Sequence, residues 1–520
     1  MQIILNTYLF KSYHTKTLNN NTLIMIKIAY NNVNAKIFDC EKKVKMYISK
    51  ILSYEVPGAE YSNESKYAGW DGKISFFNNR TDSFPSGFVN MVKRSLNNKG
   101  YDVQLVTTKA MEAFGELNPV IEGFSVDVKY DYQMETTRRL VSKGKMVAQV
   151  ATGGGKSLIC QYAYLRIKRK TLFLTTRSVL MYQMKRGFDA ILKDYEMGIV
   201  GDGVYQIPKT HDGIVFGMVQ TLSSNLKDPD QRAITIKFLE SFEFIILEEA
   251  HEVGGNEFHA VMGFCKNAYF RLGLTATPFM RDSSEANMRL MAVCADIGIR
   301  VSEQILIERA ILATPYFKFI ETPKPKDVFK TTPWRIAYDR GIVDNNNRNE
   351  SILREARRAS QAGLSVLILI QRKRHGEMLN EMLCAVGVKA SFLNGSHKNG
   401  ERQTKLNELR DGVISVLIGT SILDVGVDVP AIGMIILAGG GKAEVATRQR
   451  IGRGLRAKKT GPNVAFIIDF KDDFNKTLHY HAKERYEIIE KTDGFREGIL
   501  SPFKDFDYEQ FCPHIMCGQK

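Results

Sequence analysis

The chain has 520 residues, 44% of them apolar and 25% charged, a balance that excludes collagen-like, coiled-coil and wholly disordered chains and calls for two to four domains. No apolar run reaches the roughly 18 residues of a membrane span, Met1–Phe10 lack an export signal, and seven scattered cysteines make no secreted disulfide framework, so a soluble, cytoplasmic protein is expected. The net charge of +15 favours a polyanionic partner such as nucleic acid over a merely solvated basic surface, and it sits in no single tail.

In chain order, residues 1–24 are polar and Asn-rich, and read as a disordered extension or the product of a start codon placed too early. Over 25–120 the pattern predicts a small α+β module. Its elements are a strand from Met25, a helix over Glu41–Ser53, a strand over Ile74–Phe77, a helix over Ser86–Asn97 and a strand over Asp102–Val106. From about 125 short apolar runs alternate with amphipathic helices: Met146–Val150, Thr171–Thr175, Ile214–Val219, Phe244–Leu247 and Tyr269–Leu274. Such runs mean βαβ units and a parallel sheet covered on both faces. After Pro315 comes a Pro/Lys stretch, Glu321-Thr-Pro-Lys-Pro-Lys326, which reads as a linker or surface loop. A second series follows at Ser365–Ile370, Val388–Leu393, Ser415–Gly419, Gly433–Leu437 and Val464–Phe470. Two tandem α/β domains, 121–315 and 316–475, are expected, then a helical extension and tail over 476–520.

The strongest chemical signal is Val150-Ala-Thr-Gly-Gly-Gly-Lys-Ser157, between a predicted strand and a predicted helix. Backbone N–H groups of Ala151, Thr152, Gly153, Gly154 and Gly155 in such a turn cradle phosphates, and the helix N-terminus adds its dipole. Lys156 reaches the β- and γ-phosphates and the Ser157 hydroxyl binds Mg²⁺. The second signal is Phe244-Ile-Ile-Leu-Glu-Glu-Ala-His251, an apolar strand ending in two carboxylates. Glu248 is assigned to the metal and Glu249 to the general base that polarises water; His251 is a coupling residue rather than a ligand. Read alone, the two glutamates could be an ordinary exposed strand end. The third signal is Gln449-Arg-Ile-Gly-Arg-Gly-Leu-Arg456, whose Arg453 and Arg456 are candidates to stabilise charge on a transferred phosphoryl group.

Taken in order with Gln133, Thr275-Ala-Thr-Pro278 and Gly419-Thr420, these motifs resemble those of superfamily 2 helicases over roughly residues 125–490. The resemblance implies two RecA-like domains closing on ATP. It puts Gln133 at the adenine, and Thr176, Arg177, Gln183, Gln220 and Thr221 at the nucleic-acid backbone. Thr275 and Thr277 couple hydrolysis to domain movement, as does Gln449. Thr420, Gly426 and Asp428 face both nucleotide and strand. One departure is Glu248, where the family usually has aspartate; the longer side chain could shift the metal geometry and slow hydrolysis.

Within 25–120, Tyr67-Ala-Gly-Trp-Asp-Gly-Lys-Ile and Phe84-Pro-Ser-Gly-Phe88 resemble the small domain ahead of the motor in UvsW-type helicases of tailed bacteriophages. That resemblance implies a DNA-binding module and branched DNA as substrate. Trp70 beside Lys73 and Arg80 either stacks on an exposed base or is core. Cys512 and Cys517, with one histidine between, lack the second ligand pair of a structural zinc site. The expectation is an ATP- and Mg²⁺-dependent DNA helicase. Rivals are a duplex translocase, an RNA helicase and a nucleotide-gated binder with weak hydrolysis.

Overall fold

The computed structural model describes residues 25–508 apart from 39, 57–58, 60–69, 108–109, 125–126, 280–283, 398, 421–431, 442–450, 453, 459–461 and 503. The chain divides into two compact units. One reaches to Met111 and includes Met291–Asp296; the other runs from Glu112 to Leu290 and resumes at Ile297.

The first unit holds β1 (Met25–Tyr30), β2 (Asn34–Phe38), β3 (Ser53–Glu55), β4 (Lys73–Ser75), β5 (Ser83–Pro85) and β6 (Asp102–Thr107). Alternation along β1 hides Ile26 and Ile28 fully, the period-two pattern of a half-buried strand. The sheet order is β5-β2-β1-β6, with β1–β6 parallel and the other pairs antiparallel; β3 and β4 pair separately. The helix Lys42–Ile51 buries Val44 and Ile48, and Val89–Asn97 buries Val89, Val92 and Leu96, apolar positions spaced for one helical face. This is the small α+β module.

The second unit carries two parallel sheets. The first contains β7 (Lys145–Val150), β8 (Thr171–Thr175), β9 (Met197–Gly201), β10 (Val204–Gln206), β11 (Ile214–Met218), β12 (Phe244–Glu248), β13 (Phe270–Thr275) and β14 (Ile297–Val301). Their order is β10-β9-β11-β8-β12-β13-β7-β14, parallel except for the β9–β10 hairpin. Every residue of β8, β12 and β13 is buried, which is why these strands read as unbroken apolar runs. The second sheet contains β15 (Thr314–Glu321), β16 (Val366–Leu369), β17 (Ala390–Leu393), β18 (Val416–Gly419), β19 (Met434–Leu437) and β20 (Val464–Lys471). Its order is β15-β20-β19-β16-β18-β17, all parallel. These are two tandem RecA-like domains. Pro315 is tolerated because β15 is an edge strand. Among the described residues no helix is long and apolar enough to cross a membrane.

Beyond β19 the second sheet holds its next loop by the backbone. Four successive carbonyls are each taken by a different side chain: Ala438 O by Arg348 at 2.7 Å, Gly439 O by Tyr338 at 2.6 Å, Gly440 O by Gln371 at 3.0 Å and Gly441 O by Arg485 at 2.8 Å. The two arginines are buried and each meets a buried aspartate, Arg348 with Asp472 at 3.0 Å and Arg485 with Asp469 at 2.8 Å. Arg485 comes from the helix Lys476–Glu490, so that helix is built into the domain.

Nearby, His375 is fully buried, with Nε2 2.9 Å from Asn349 Oδ1. Asn349 Nδ2 already donates to Val343 O at 2.8 Å, so Oδ1 accepts and His375 carries its proton on Nε2. Burial, reinforced by Arg348 and Arg374, pushes the His375 pKa down to about 3. Unfolded histidine titrates near 6.5. Between those values the unfolded chain takes a proton that the folded chain refuses, so stability is full above about 6.5 and is lost as pH falls, by at most about 1.4 kcal/mol per pH unit. Thermal melts between about pH 7 and 5 should therefore drop more steeply for the wild type than for His375→Gln; equal slopes would assign the lost stability to other groups.

Candidate active site

β7 ends at Val150, and the chain turns through Ala151-Thr152-Gly153-Gly154-Gly155 into the helix Lys156–Ile167. Gly153 and Gly155 hold φ of +88° and +74°, a conformation that costs an L side chain about 1–2 kcal/mol. Space is tight as well, since a Cβ on Gly155 would lie 2.5 Å from Gln133 Nε2 and push that side chain aside. The Tyr132 hydroxyl donates to Gly154 O at 2.9 Å. Burial pushes the Tyr132 pKa up to about 12, which keeps that donor protonated. The turn is thus held from the side of Tyr132 and Gln133, and the N–H groups of the first helical turn have no partner within the helix. That is a phosphate cradle. Lys156 Nζ donates to Val150 O at 3.4 Å, a long contact that a phosphate oxygen can replace.

Facing the turn, β12 delivers the two carboxylates. Glu248 is 8% exposed, and its Oε2 has no hydrogen-bond partner among the described residues. Burial raises the Glu248 pKa to about 8, with Lys156 opposing and Glu249 adding to the rise. A buried carboxylate left without a partner is costly, and a divalent cation is the group that suits it. No cluster of three or more His, Cys, Asp and Glu forms among the described residues. A cation here would therefore be held by Glu248, the Ser157 hydroxyl, phosphate and water, which is how Mg²⁺ is usually bound. The residues fit the group.

Glu249 lies just past the strand with φ +49°, turned off the strand line. His251 Nδ1 is 3.4 Å from Glu249 Oε2 and 3.0 Å from Thr275 Oγ1. Thr277 N donates to that same Thr275 oxygen at 3.2 Å. One polar chain therefore joins the second carboxylate to the end of β13.

The second sheet reaches the same place. A Cβ on Gly452 would stand 2.7 Å from Thr152 Cβ, so the two domains touch backbone to side chain at the turn. A cleft of about 690 Å³ is lined by Gln133, Lys156, Ser157, Glu248 and Glu249 from the first domain and by Gly452 and Arg456 from the second. Gly426, Asp428, Gln449, Arg453 and Cys512–Cys517 lie outside the described residues, as do 1–24 and most of the stretch before Trp70.

The remaining sequence candidates form a second group. Gln220 Nε2 donates to Thr176 O at 3.0 Å, and Thr176 and Arg177 both meet Glu252, the latter at 3.6 Å. Thr221 follows on the helix Val219–Lys227; Thr420 ends β18, half-buried. Gln183, expected with this group, lies on the helix Ser178–Phe188 and also lines the cleft. In the first unit the Trp70 indole donates to Lys73 O at 2.8 Å and Lys73 pairs with Glu55 at 3.3 Å. Trp70 is half-buried, neither core nor free. Sequence reasoning missed Phe124, Asp127, Lys129 and Tyr130, which line the cleft beside Gln133; an aromatic and charged run just ahead of that glutamine was the available signal.

Fold and cleft together define a two-domain, nucleotide-driven motor. Family models match in tandem: the N-terminal domain of the DNA helicase UvsW at residues 25–106, the res subunit of type III restriction enzymes at 128–280, and the helicase conserved C-terminal domain at 347–458. The ATP-dependent DNA helicase uvsW of Enterobacteria phage T4 is 22% identical over 487 residues, 89% of this chain and 93% of that protein. The DNA 3'-5' translocase XPB2 of Sulfurisphaera tokodaii is 25% identical over 361 residues, 63% of this chain and 78% of the relative. Among solved structures, a fragment assigned to the HsdR subunit of a Vibrio vulnificus YJ016 type I restriction enzyme superposes with a TM-score of 0.51 at 17% identity, covering 70% of this chain and 66% of that one. The chain carries the paired motor domains of a helicase, an ATP-driven enzyme, and is similar to superfamily 2 helicases and to the UvsW type among them.

Two glycine substitutions separate binding from turnover. Gly155→Ala should weaken binding of a fluorescent ADP analogue by roughly five- to thirtyfold, because the positive φ costs an L side chain about 1–2 kcal/mol and Gln133 must move aside. Gly452→Ala should leave that binding near wild type yet depress kcat, since the added methyl meets Thr152 only when the domains approach. Equal binding loss in both would show that the second domain shapes the cradle itself.

Proposed function

We propose that the chain is a DNA helicase or translocase that remodels branched DNA, unwinding or branch-migrating forks, displacement loops and Holliday junctions in phage replication, recombination or repair. The observation that carries this reading is the convergence of Lys156, Glu248 and Glu249 with Gly452 and Arg456 on one cleft. The printed name of the T4 relative and the UvsW N-terminal match at 25–106 support DNA as the polymer. The net charge of +15 supports a polyanion.

In this reading the N–H groups of Thr152, Gly153, Gly155, Lys156 and Ser157 and the Lys156 ammonium bind the β- and γ-phosphates, while Gln133 reads the adenine. The expected share of Ala151 and Gly154 is corrected, since their N–H groups donate to Val301 O at 2.9 Å and Ala151 O at 3.0 Å. Ser157 and Glu248 would hold Mg²⁺, which when bound supplies positive charge against the phosphate oxygens. Glu249 orients the attacking water and takes its proton. His251, Thr275 and Thr277 carry the change toward the strand-binding face. Arg456, with Arg453, stabilises charge on the transferred phosphoryl group; Gln449, Gly426 and Asp428 complete the second domain's share. Thr176, Arg177, Gln220, Thr221 and Thr420 hold one strand by its phosphates, and Trp70 and Lys73 in the 25–120 module meet the branch. Cleft opening and closing moves the protein along DNA, with binding that weakens steeply in salt.

The test is steady-state ATP hydrolysis without nucleic acid, then with single-stranded DNA, a four-way DNA junction and matched RNA. Stimulation greatest with the junction is expected; equal stimulation by RNA overturns the choice of DNA. Strand displacement then separates a helicase from a duplex translocase. DNA binding without stimulated turnover favours the nucleotide-gated binder, for which Glu248 in place of the family's aspartate is the motive. Glu249→Gln should lower kcat by about 10²–10⁴ and Arg456→Ala by about 10³–10⁵, both with ATP binding retained. Unchanged turnover in either removes that residue's role.

A further inference from the structure

Glu252 belongs to no motif read from the sequence, yet it stands between the two groups of candidate residues. It lies in the short 3-10 turn Ala250–Gly254 that follows Glu249, and its N–H donates to Glu249 O at 2.8 Å. Its carboxylate accepts from the Thr176 hydroxyl and lies 3.6 Å from Arg177 Nη2. Gln220 Nε2 holds the Thr176 carbonyl at 3.0 Å. A hydroxyl, a guanidinium and a fixed backbone thus converge on one anion.

We propose that Glu252 is an internal substitute for a strand phosphate, one that the strand displaces when it binds. The inference rests on the reading that Thr176 and Arg177 face the strand. A carboxylate and a phosphodiester each offer two acceptor oxygens and a single negative charge, so the same donors serve either. The pair is open to exchange: the Arg177 side chain is 44% exposed and that of Glu252 24%. Exposed ion pairs contribute little on their own, whereas a strand brings neighbouring phosphates and releases counterions. Displacement frees a turn whose first residues are Glu249, Ala250 and His251. Strand occupancy is thereby felt three residues from the proposed base. The plainer alternative is a structural tie between two loops, and it makes the opposite prediction for DNA affinity.

The experiment uses the full chain carrying Glu252→Gln or Glu252→Ala, with a poly-dT oligonucleotide as probe, thermal melts to establish folding, and ATP turnover with and without DNA. Both variants should bind the oligonucleotide roughly two- to fivefold tighter at fixed salt. The slope of log K against log salt should stay near wild type, because Arg177 meets one phosphate in either complex. DNA-free turnover should rise and the stimulation ratio shrink. In an Arg177→Ala background the change in affinity on adding Glu252→Gln should largely vanish. Weaker DNA binding, or affinity and DNA-free turnover both unchanged in a DNA-stimulated protein, overturns the inference alone. A wild type that DNA neither binds nor stimulates overturns the functional reading with it.

Discussion

A carboxylate at the end of a strand buried on both faces sets the terms for what surrounds it. Glu248 is 8% exposed and its Oε2 takes no hydrogen bond from any described residue. Charge in so dry a place must be answered by opposite charge. The surrounding chain obliges: Lys156 stands near enough to oppose the rise in the Glu248 pKa, and the glycine turn presents N–H groups rather than side chains. Glu249, one residue on, is turned away by its left-handed backbone. Neighbouring carboxylates in the same strand end are thus given different environments, which is how one pair can serve a cation and a water separately.

The two RecA-like domains treat buried charge in opposite ways. In the second, Arg348 with Asp472 and Arg485 with Asp469 leave little unsatisfied, since each arginine also caps backbone carbonyls. Removing one partner of such a pair typically costs about 3–5 kcal/mol, so these charges hold shape. In the first, Glu248 keeps an unpartnered oxygen among the described residues, and burial favours its protonated form until a cation arrives. Satisfied ions make scaffold and an unsatisfied one makes a site. His375, neutral among arginines, belongs to the scaffold.

What could be read in the sequence follows the range of the physics. The phosphate turn, the paired carboxylates and the fully buried strands are local, and each leaves a contiguous signature. β9 and β10 were missed because two glycines thin the first and the second is only three residues long. β15 was missed because Pro315 and Lys318 interrupt its apolar pattern, whereas the Pro/Lys stretch just after it is a loop, as read. Contacts between distant residues left no trace at all. Nothing near Gly452 announces Thr152, nothing near Glu252 announces Thr176, and Arg485 has no local sign that its partners are a glycine loop and Asp469.

The clamp on residues 438–441 has a consequence in time. Every described residue that lines the cleft, from Gly123 to Arg456, is synthesised before Arg485. A nascent chain that has emerged only as far as Arg456 holds both carboxylates, the glycine turn and the arginine, but β20 with Asp469 is not yet made, Arg348 still lacks Asp472, and the loop leading toward Arg456 lacks one of its four ties. Completion of the second domain therefore waits on a helix made after all of its chemistry, which orders the birth of the motor as assembly first and turnover last.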